Sequence, residues 1–281
     1  MTTGLVATAW TSAGDTSPLH TPATSPVPIE QRVAAAATAG YCGMGLIADD
    51  LVAVRDSIGF ARLAGLFDAY GIVHIEIELL ERWWIPRNEP GHSFDVRDLL
   101  LSAADVLAPS FIKIGSENGS PDGDLSALVD PLRRLADQAV EHGTRIAIEP
   151  MPFSRIASVP MGAELVSAAA HPAVGLVVDA WHVFRAGTTL DELSAAVPPG
   201  MVFGVELDDA ASEVFGTLFE DTVERRLLCG EGSFDLPELV DTLRDIGFTG
   251  PWGVEILSGS FRRLPVDRAL QLAADSARSV L

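Results

Sequence analysis

The sequence predicts an α/β chain folded as a closed (β/α)8 TIM barrel, one domain over residues 1–281. Strand-like and helix-like segments alternate from end to end, which implies a parallel sheet. Eight of each, at about 35 residues per unit, fit a closed barrel better than a smaller sheet. No linker or low-complexity stretch divides the chain. A doubly wound open sheet is the alternative, but no Gly-x-Gly-x-x-Gly follows the first strand.

Residues 5–10 form the first expected strand, followed by a Pro-rich loop over 16–28. The Ala-rich stretch 29–39 reads as a helix stopped by Gly40, and 41–47 as a Gly-containing second strand. One long helix is expected over 51–70, with Gly71 as its stop. Strand three is 72–80. A loop holding Trp83, Trp84, Pro86 and Pro90 then leads to a helix over 96–107. Strand four is 110–115, a turn-rich stretch covers 117–123, and a helix spans 125–142 before Gly143. Strand five is 145–149, helix 161–170, strand six 174–179, short helix 190–196 and strand seven 201–207. The connection 208–232 is long enough for a lid or binding loop. A helix over 236–246, strand eight over 251–257 and an amphipathic helix over 266–281 complete the pattern.

Hydrophobic residues make up 48% of the chain, enough for a sizeable core, and no uncharged apolar run approaches a membrane span. The first ten residues lack the basic region of a secretory signal. Cys42 and Cys229 stand far apart and outside any Cys-x-x-Cys, so both read as reduced thiols of a cytoplasmic protein. The formal charge of −20, from 39 acidic and 19 basic side chains, opposes phosphate backbones. It argues against a nucleic-acid partner and favours solubility.

Four acidic residues carry the functional signal: Glu149, Asp179, Glu206 and Glu255 each end one of the last four expected strands. Barrel active sites sit at the C-terminal ends of strands. A carboxylate buried there alone is costly and needs a cation or donors. Each one singly could be a salt-bridged loop residue; four on consecutive strands converge on an oxygen-rich metal site. All-oxygen ligation favours a single hard divalent ion, Mn2+ or Mg2+, over Zn2+.

Ile148-Glu-Pro-Met-Pro-Phe153, Val178-Asp-Ala-Trp-His182, Val205-Glu-Leu-Asp208, Arg226-Leu-Leu-Cys-Gly-Glu-Gly232 and Val254-Glu-Ile256 make the chain resemble the sugar phosphate isomerase/epimerase superfamily. These are the xylose-isomerase-like barrels, which also include inosose dehydratases and endonuclease IV. The likeness is sharp from about residue 145 onward. It implies that Glu149, Asp179, Glu206 and Glu255 ligate one divalent metal. Many members carry His or Gln where this chain has Glu206, although xylose isomerases tolerate an all-carboxylate site. The resemblance places His182 toward substrate, or toward a second metal in the nuclease branch; as a lone residue it would bond a backbone carbonyl.

Arg226 either forks onto substrate oxygens or pairs at the surface with Glu224 or Glu231. Glu78, on the same strand face as Glu76, is a substrate contact or a support for the ligands. Lys113, near the end of strand four, reaches substrate or stays in solvent. Trp10, Trp83 and Trp181 lie at the expected rim, where they stack on a ring or simply pack; Trp10 and Trp181 are the candidate substrate contacts.

These groups permit proton transfer next to a carbonyl. Glu149 and Glu255 come from opposite sides of the ligand set, so one can remove a proton and the other return it. The expected activity is metal-dependent isomerisation or epimerisation of a sugar, keto-sugar or keto-inositol through an enediolate. Loss of a β-hydroxyl from the same enediolate would make the protein a lyase or dehydratase of a keto-polyol. An abasic-DNA nuclease would need more His ligands and a basic surface. A non-catalytic subunit would not need all four carboxylates. Relatives of this kind act on small molecules, often as homo-oligomers or with a partner subunit.

Overall fold

In the computed structural model, which describes residues 4–119 and 124–281, eight parallel strands close on themselves in chain order. They are β1 Leu5–Ala7, β2 Gly43–Ile47, β3 His74–Leu80, β4 Phe111–Ile114, β5 Ile146–Ile148, β6 Val174–Asp179, β7 Val202–Leu207 and β8 Trp252–Val254. The helices around them are α1 Ala9–Ser12, α2 Ile29–Thr38, α3 Ala48–Asp56, α4 Phe60–Tyr70, α5 Phe94–Leu107 and α6 Ser126–Glu141. They continue with α7 Val159–Ala169, α8 Ala180–Arg185, α9 Leu190–Ala196, α10 Leu218–Glu224, α11 Leu236–Asp245 and α12 Val266–Val280. No helix among the described residues is long and apolar enough to cross a membrane.

The strands are short apolar runs because both faces are covered, one by helices and one by the barrel interior. The helices are amphipathic: α11 buries Leu236, Leu239, Val240 and Leu243, an i, i+3, i+4, i+7 stripe. Inside the barrel, Phe111, Ala147 and Val177 pack with Phe203. Gly204 leaves room for this plug: a Cβ there would lie 2.7 Å from Phe111 Cζ. Side chains alternate along a strand, so Lys113, Glu149, Asp179 and Glu206 stand one layer above Phe111, Ala147, Val177 and Gly204.

The barrel closes where β8 pairs with β1 in the register Leu5↔Trp252 and Ala7↔Val254. Hydroxyls reinforce this seam. Thr8 Oγ1 and Thr11 Oγ1 both donate to the Val254 carbonyl, at 2.9 and 2.7 Å, and Thr11 Oγ1 accepts from Ile256 N at 2.9 Å.

Three expectations change. The first strand stops at Ala7, so Trp10 rides on α1 rather than on a strand end. The helix expected over 51–70 is two, α3 and α4, broken where Gly59 takes φ +77°. The 208–232 connection carries α10, whose Thr217 and Glu220 form a capping box. The turn-rich stretch expected over 117–123 is described only to residue 119; the rest lies outside the described residues.

Candidate metal and active site

Four staves deliver four carboxylates to one point. Glu149 follows β5, its amide donating to the Ile114 carbonyl at 3.0 Å. Asp179 ends β6 and caps α8, accepting from His182 N at 2.9 Å, which is why a helix starts at that residue. Glu206 pairs with Asp179 across β6 and β7. Glu255 follows β8, its amide bonded to the Leu207 carbonyl at 3.0 Å. One oxygen from each of Glu149, Asp179, Glu206 and Glu255 lies within 4.8 Å of the others, and all four residues are buried.

Two cations share this floor. Lys113 Nζ lies 2.6 Å from Glu78 Oε2, 2.7 Å from Glu206 Oε1, and 3.5 Å from both Glu149 Oε2 and Glu255 Oε1. Arg226 Nη1 lies 2.6 Å from Asp179 Oδ2 and 3.2 Å from Glu255 Oε2, and also meets Asp208 Oδ2. Its Nε and Nη2 donate to Thr222 Oγ1 at 3.2 and 2.9 Å. Six carboxylates therefore face two cations, an excess of four negative charges when all are ionised.

Burial and mutual repulsion answer that excess. Burial pushes Glu78 up to about 8 against the pull of Lys113. Burial, followed by the charge of Glu255, holds Glu206 well above the usual carboxylate range. Burial likewise raises Asp208 and Glu255, in spite of Arg226. Burial also works to raise Glu149, but Lys113 and then the His182 hydrogen bond outweigh it and leave Glu149 low. Burial would lower Lys113, yet Glu149, Glu206 and the other carboxylates hold it well above its ordinary value.

The donor set could hold a metal ion. Glu206 Oε2, Asp208 Oδ1 and Glu255 Oε1 are buried acceptors with no hydrogen-bond donor among the described residues. Among the described residues, the cationic contact of Glu255 Oε1 is the one with Lys113 Nζ at 3.5 Å. Unpaired acceptors in a negatively charged pocket are what a cation satisfies. His182 stands at the edge of the cluster, its Nε2 3.4 Å from Glu149 Oε1 and its Nδ1 unpartnered among the described residues.

A cavity of about 420 Å³ opens above this floor. Lys113, Glu149, His182, Arg226 and Glu255 form its polar base, and Trp10, Leu79, Met151, Phe153, Phe219 and Leu257 contribute apolar wall. The cavity brings Trp10, His182, Lys113, Arg226, Glu149 and Glu255 together. It does not reach four others: Asp179 and Glu206, which join Glu149 and Glu255 in the cluster but do not line the cavity, and Trp181 and Glu78. Trp181 is fully buried behind His182, with Nε1 donating to Asp221 at 3.1 Å, because α8 turns its side chain back into the packing. Glu78 touches Lys113 rather than the cavity. Trp83, also expected at the rim, is buried with its Nε1 on the Gly115 carbonyl. Arg226 is no surface residue; its partners are neither Glu224 nor Glu231.

The model of the xylose isomerase-like TIM barrel family matches residues 33–279. The chain belongs to that family. It is 31% identical over 185 residues to a 3-dehydroshikimate dehydratase of Pseudomonas putida, covering 66% of this chain and 27% of that protein. An inosose isomerase of Bacillus subtilis is 29% identical over 155 residues, 54% of each chain. The chain thus spans about a quarter of the length of the first relative and about half of the second. Among solved structures, the IolI protein with a bound zinc atom superposes at TM-score 0.81 and 21% identity, over 99% of this chain and 97% of that one. That likeness concerns the barrel fold.

Within this xylose isomerase-like barrel, Asp208 and Thr222 complete the site without having been expected there. Asp208 stands two residues after Glu206, hence on the same strand face, and a period-two reading would have found it. Thr222 comes from α10, inside a connection with no strand or motif to flag it.

Proposed function

We propose that the chain is a divalent-metal-dependent isomerase or epimerase of a keto-sugar, keto-inositol or similar polyol, acting through an enediolate. The observation that carries this reading is the convergence of Glu149, Asp179, Glu206 and Glu255 oxygens within 4.8 Å, with Glu149 and Glu255 lining a cavity. Those four residues would hold one ion, Mn2+ or Mg2+ by the hardness of the oxygen set. When bound, such an ion polarises a substrate carbonyl and offsets the charge of the enediolate.

The protein's own groups define the proton path. Glu149 faces the cavity beside Lys113 and His182, and takes the proton next to a carbonyl at a carboxylate oxygen. Glu255 faces the same cavity from the end of β8 and returns a proton to the substrate. Arg226 and Lys113 keep positive charge under the developing oxyanion. The apolar wall of Trp10, Phe153 and Phe219 excludes water. The reading includes a cytoplasmic location, a small-molecule substrate and no nucleic-acid or membrane partner, consistent with the charge of −20.

The dehydratase relative favours a second outcome from the same base: departure of a β-hydroxyl instead of proton return. Incubating the Mn2+-loaded protein with inososes and with 3-dehydroshikimate in deuterated water separates the two. Isomerisation incorporates deuterium with mass otherwise conserved; dehydration removes one water. Glu149→Gln should cut either reaction by roughly 100-fold or more. Unchanged turnover in that variant would end the proposed proton chemistry.

A further inference from the structure

Lys113 is the single lysine of this chain; every other one of its 19 basic residues is arginine. It is 2% exposed and lies within 3.5 Å of four carboxylates, three of which belong to the four-carboxylate cluster. An ammonium group is a compact point charge whose donors splay in three directions, whereas a guanidinium is a flat fork. It can therefore gather oxygens from several strands, as a metal ion does. Arg226 holds the remaining member, Asp179.

We propose that Lys113 is a built-in counter-cation: it holds the acidic floor together without metal, and a divalent ion must compete with it for Glu206. The inference rests on the metal-binding reading above. Glu206 Oε1 is already engaged by Lys113 at 2.7 Å, while Oε2 has no donor among the described residues. An ion recruited by Oε2, Glu149, Asp179 and Glu255 would sit beside a fixed positive charge, which weakens its binding. The fourth carboxylate and the lone lysine thus form one unit. The lysine offsets the charge that Glu206 adds, and the barrel stays assembled when no ion is bound.

The test is Mn2+ titration calorimetry on EDTA-treated, dialysed protein, with thermal unfolding in EDTA and in Mn2+. Wild type, Lys113→Met, Glu206→Gln and the double variant are compared. Lys113→Met should bind Mn2+ roughly tenfold or more tightly than wild type. It should melt lower than wild type in EDTA and gain more from Mn2+. The charge-balanced double variant serves where Lys113→Met alone does not fold in EDTA. It should bind Mn2+ more tightly than Glu206→Gln, but by a smaller factor than Lys113→Met gains over wild type. A lysine that merely packs would lower stability and leave Mn2+ affinity unchanged, and that result overturns the proposal. Mn2+ binding by wild type with equal or weaker binding by Lys113→Met overturns the proposal but leaves the metal reading intact. No binding by any of the four proteins removes both.

Discussion

Replacing Arg226 with Met keeps much of the side-chain volume and removes one positive charge from beneath three buried carboxylates. Arg226 is 2% exposed and reaches Asp179, Asp208 and Glu255 through one nitrogen. Breaking a buried ion pair by deleting one partner costs about 3–5 kcal/mol, since the other charge stays uncompensated. Here the carboxylates can relax by taking up protons, which points to the lower end, about 3 kcal/mol. For a chain of this size each kcal/mol moves the melting temperature by about 2–4 °C, giving a fall of roughly 6–12 °C. Calorimetric melting in EDTA reads this without reference to activity. Adding Asp208→Asn removes one of the stranded charges and should recover at least about 1 kcal/mol, a coupling that a double-mutant cycle measures directly. A single-variant fall under about 2 °C, or strictly additive effects, would show that Arg226 does not hold these carboxylates.

Two further expectations concern the frame under the site. Gly204→Ala puts a methyl 2.7 Å from Phe111 Cζ inside the barrel and should cost about 1–3 kcal/mol in urea unfolding, recovered in part by Phe111→Leu. Trp181→Phe loses the buried bond to Asp221 and should cost about 1–2 kcal/mol by the same assay; no loss would mean that this indole is not needed to anchor α8.

The barrel was legible because its signals are local. Apolar runs bounded by Gly and Pro, repeated in alternation with Ala- and Leu-rich helices, admit few other closed arrangements. Glu149, Asp179, Glu206 and Glu255 were legible for the same reason: each ends such a run. Misses arose where the decisive contact is distant in sequence. Trp181 and Trp83 carry no mark that separates a rim aromatic from a buried one, and only packing against Asp221 or the Gly115 carbonyl decides. Lys113 was read as reaching substrate or solvent and it does line the cavity; its grip on four carboxylates was not read, because they come from strands 3, 5, 7 and 8. The break between α3 and α4 was visible in Gly59 but outweighed by the helical pattern on either side.

The threonine bonds at the seam have a consequence for how this centre comes into being. Glu255 lies between Val254 and Ile256, and both neighbours are tethered to Thr8 and Thr11 from the opening of the chain. The carboxylate that follows β8 is thus set in place by residues that follow β1. Assembly of the acidic pocket is tied to ring closure: until the final stave docks, three of its members have a place and the fourth does not.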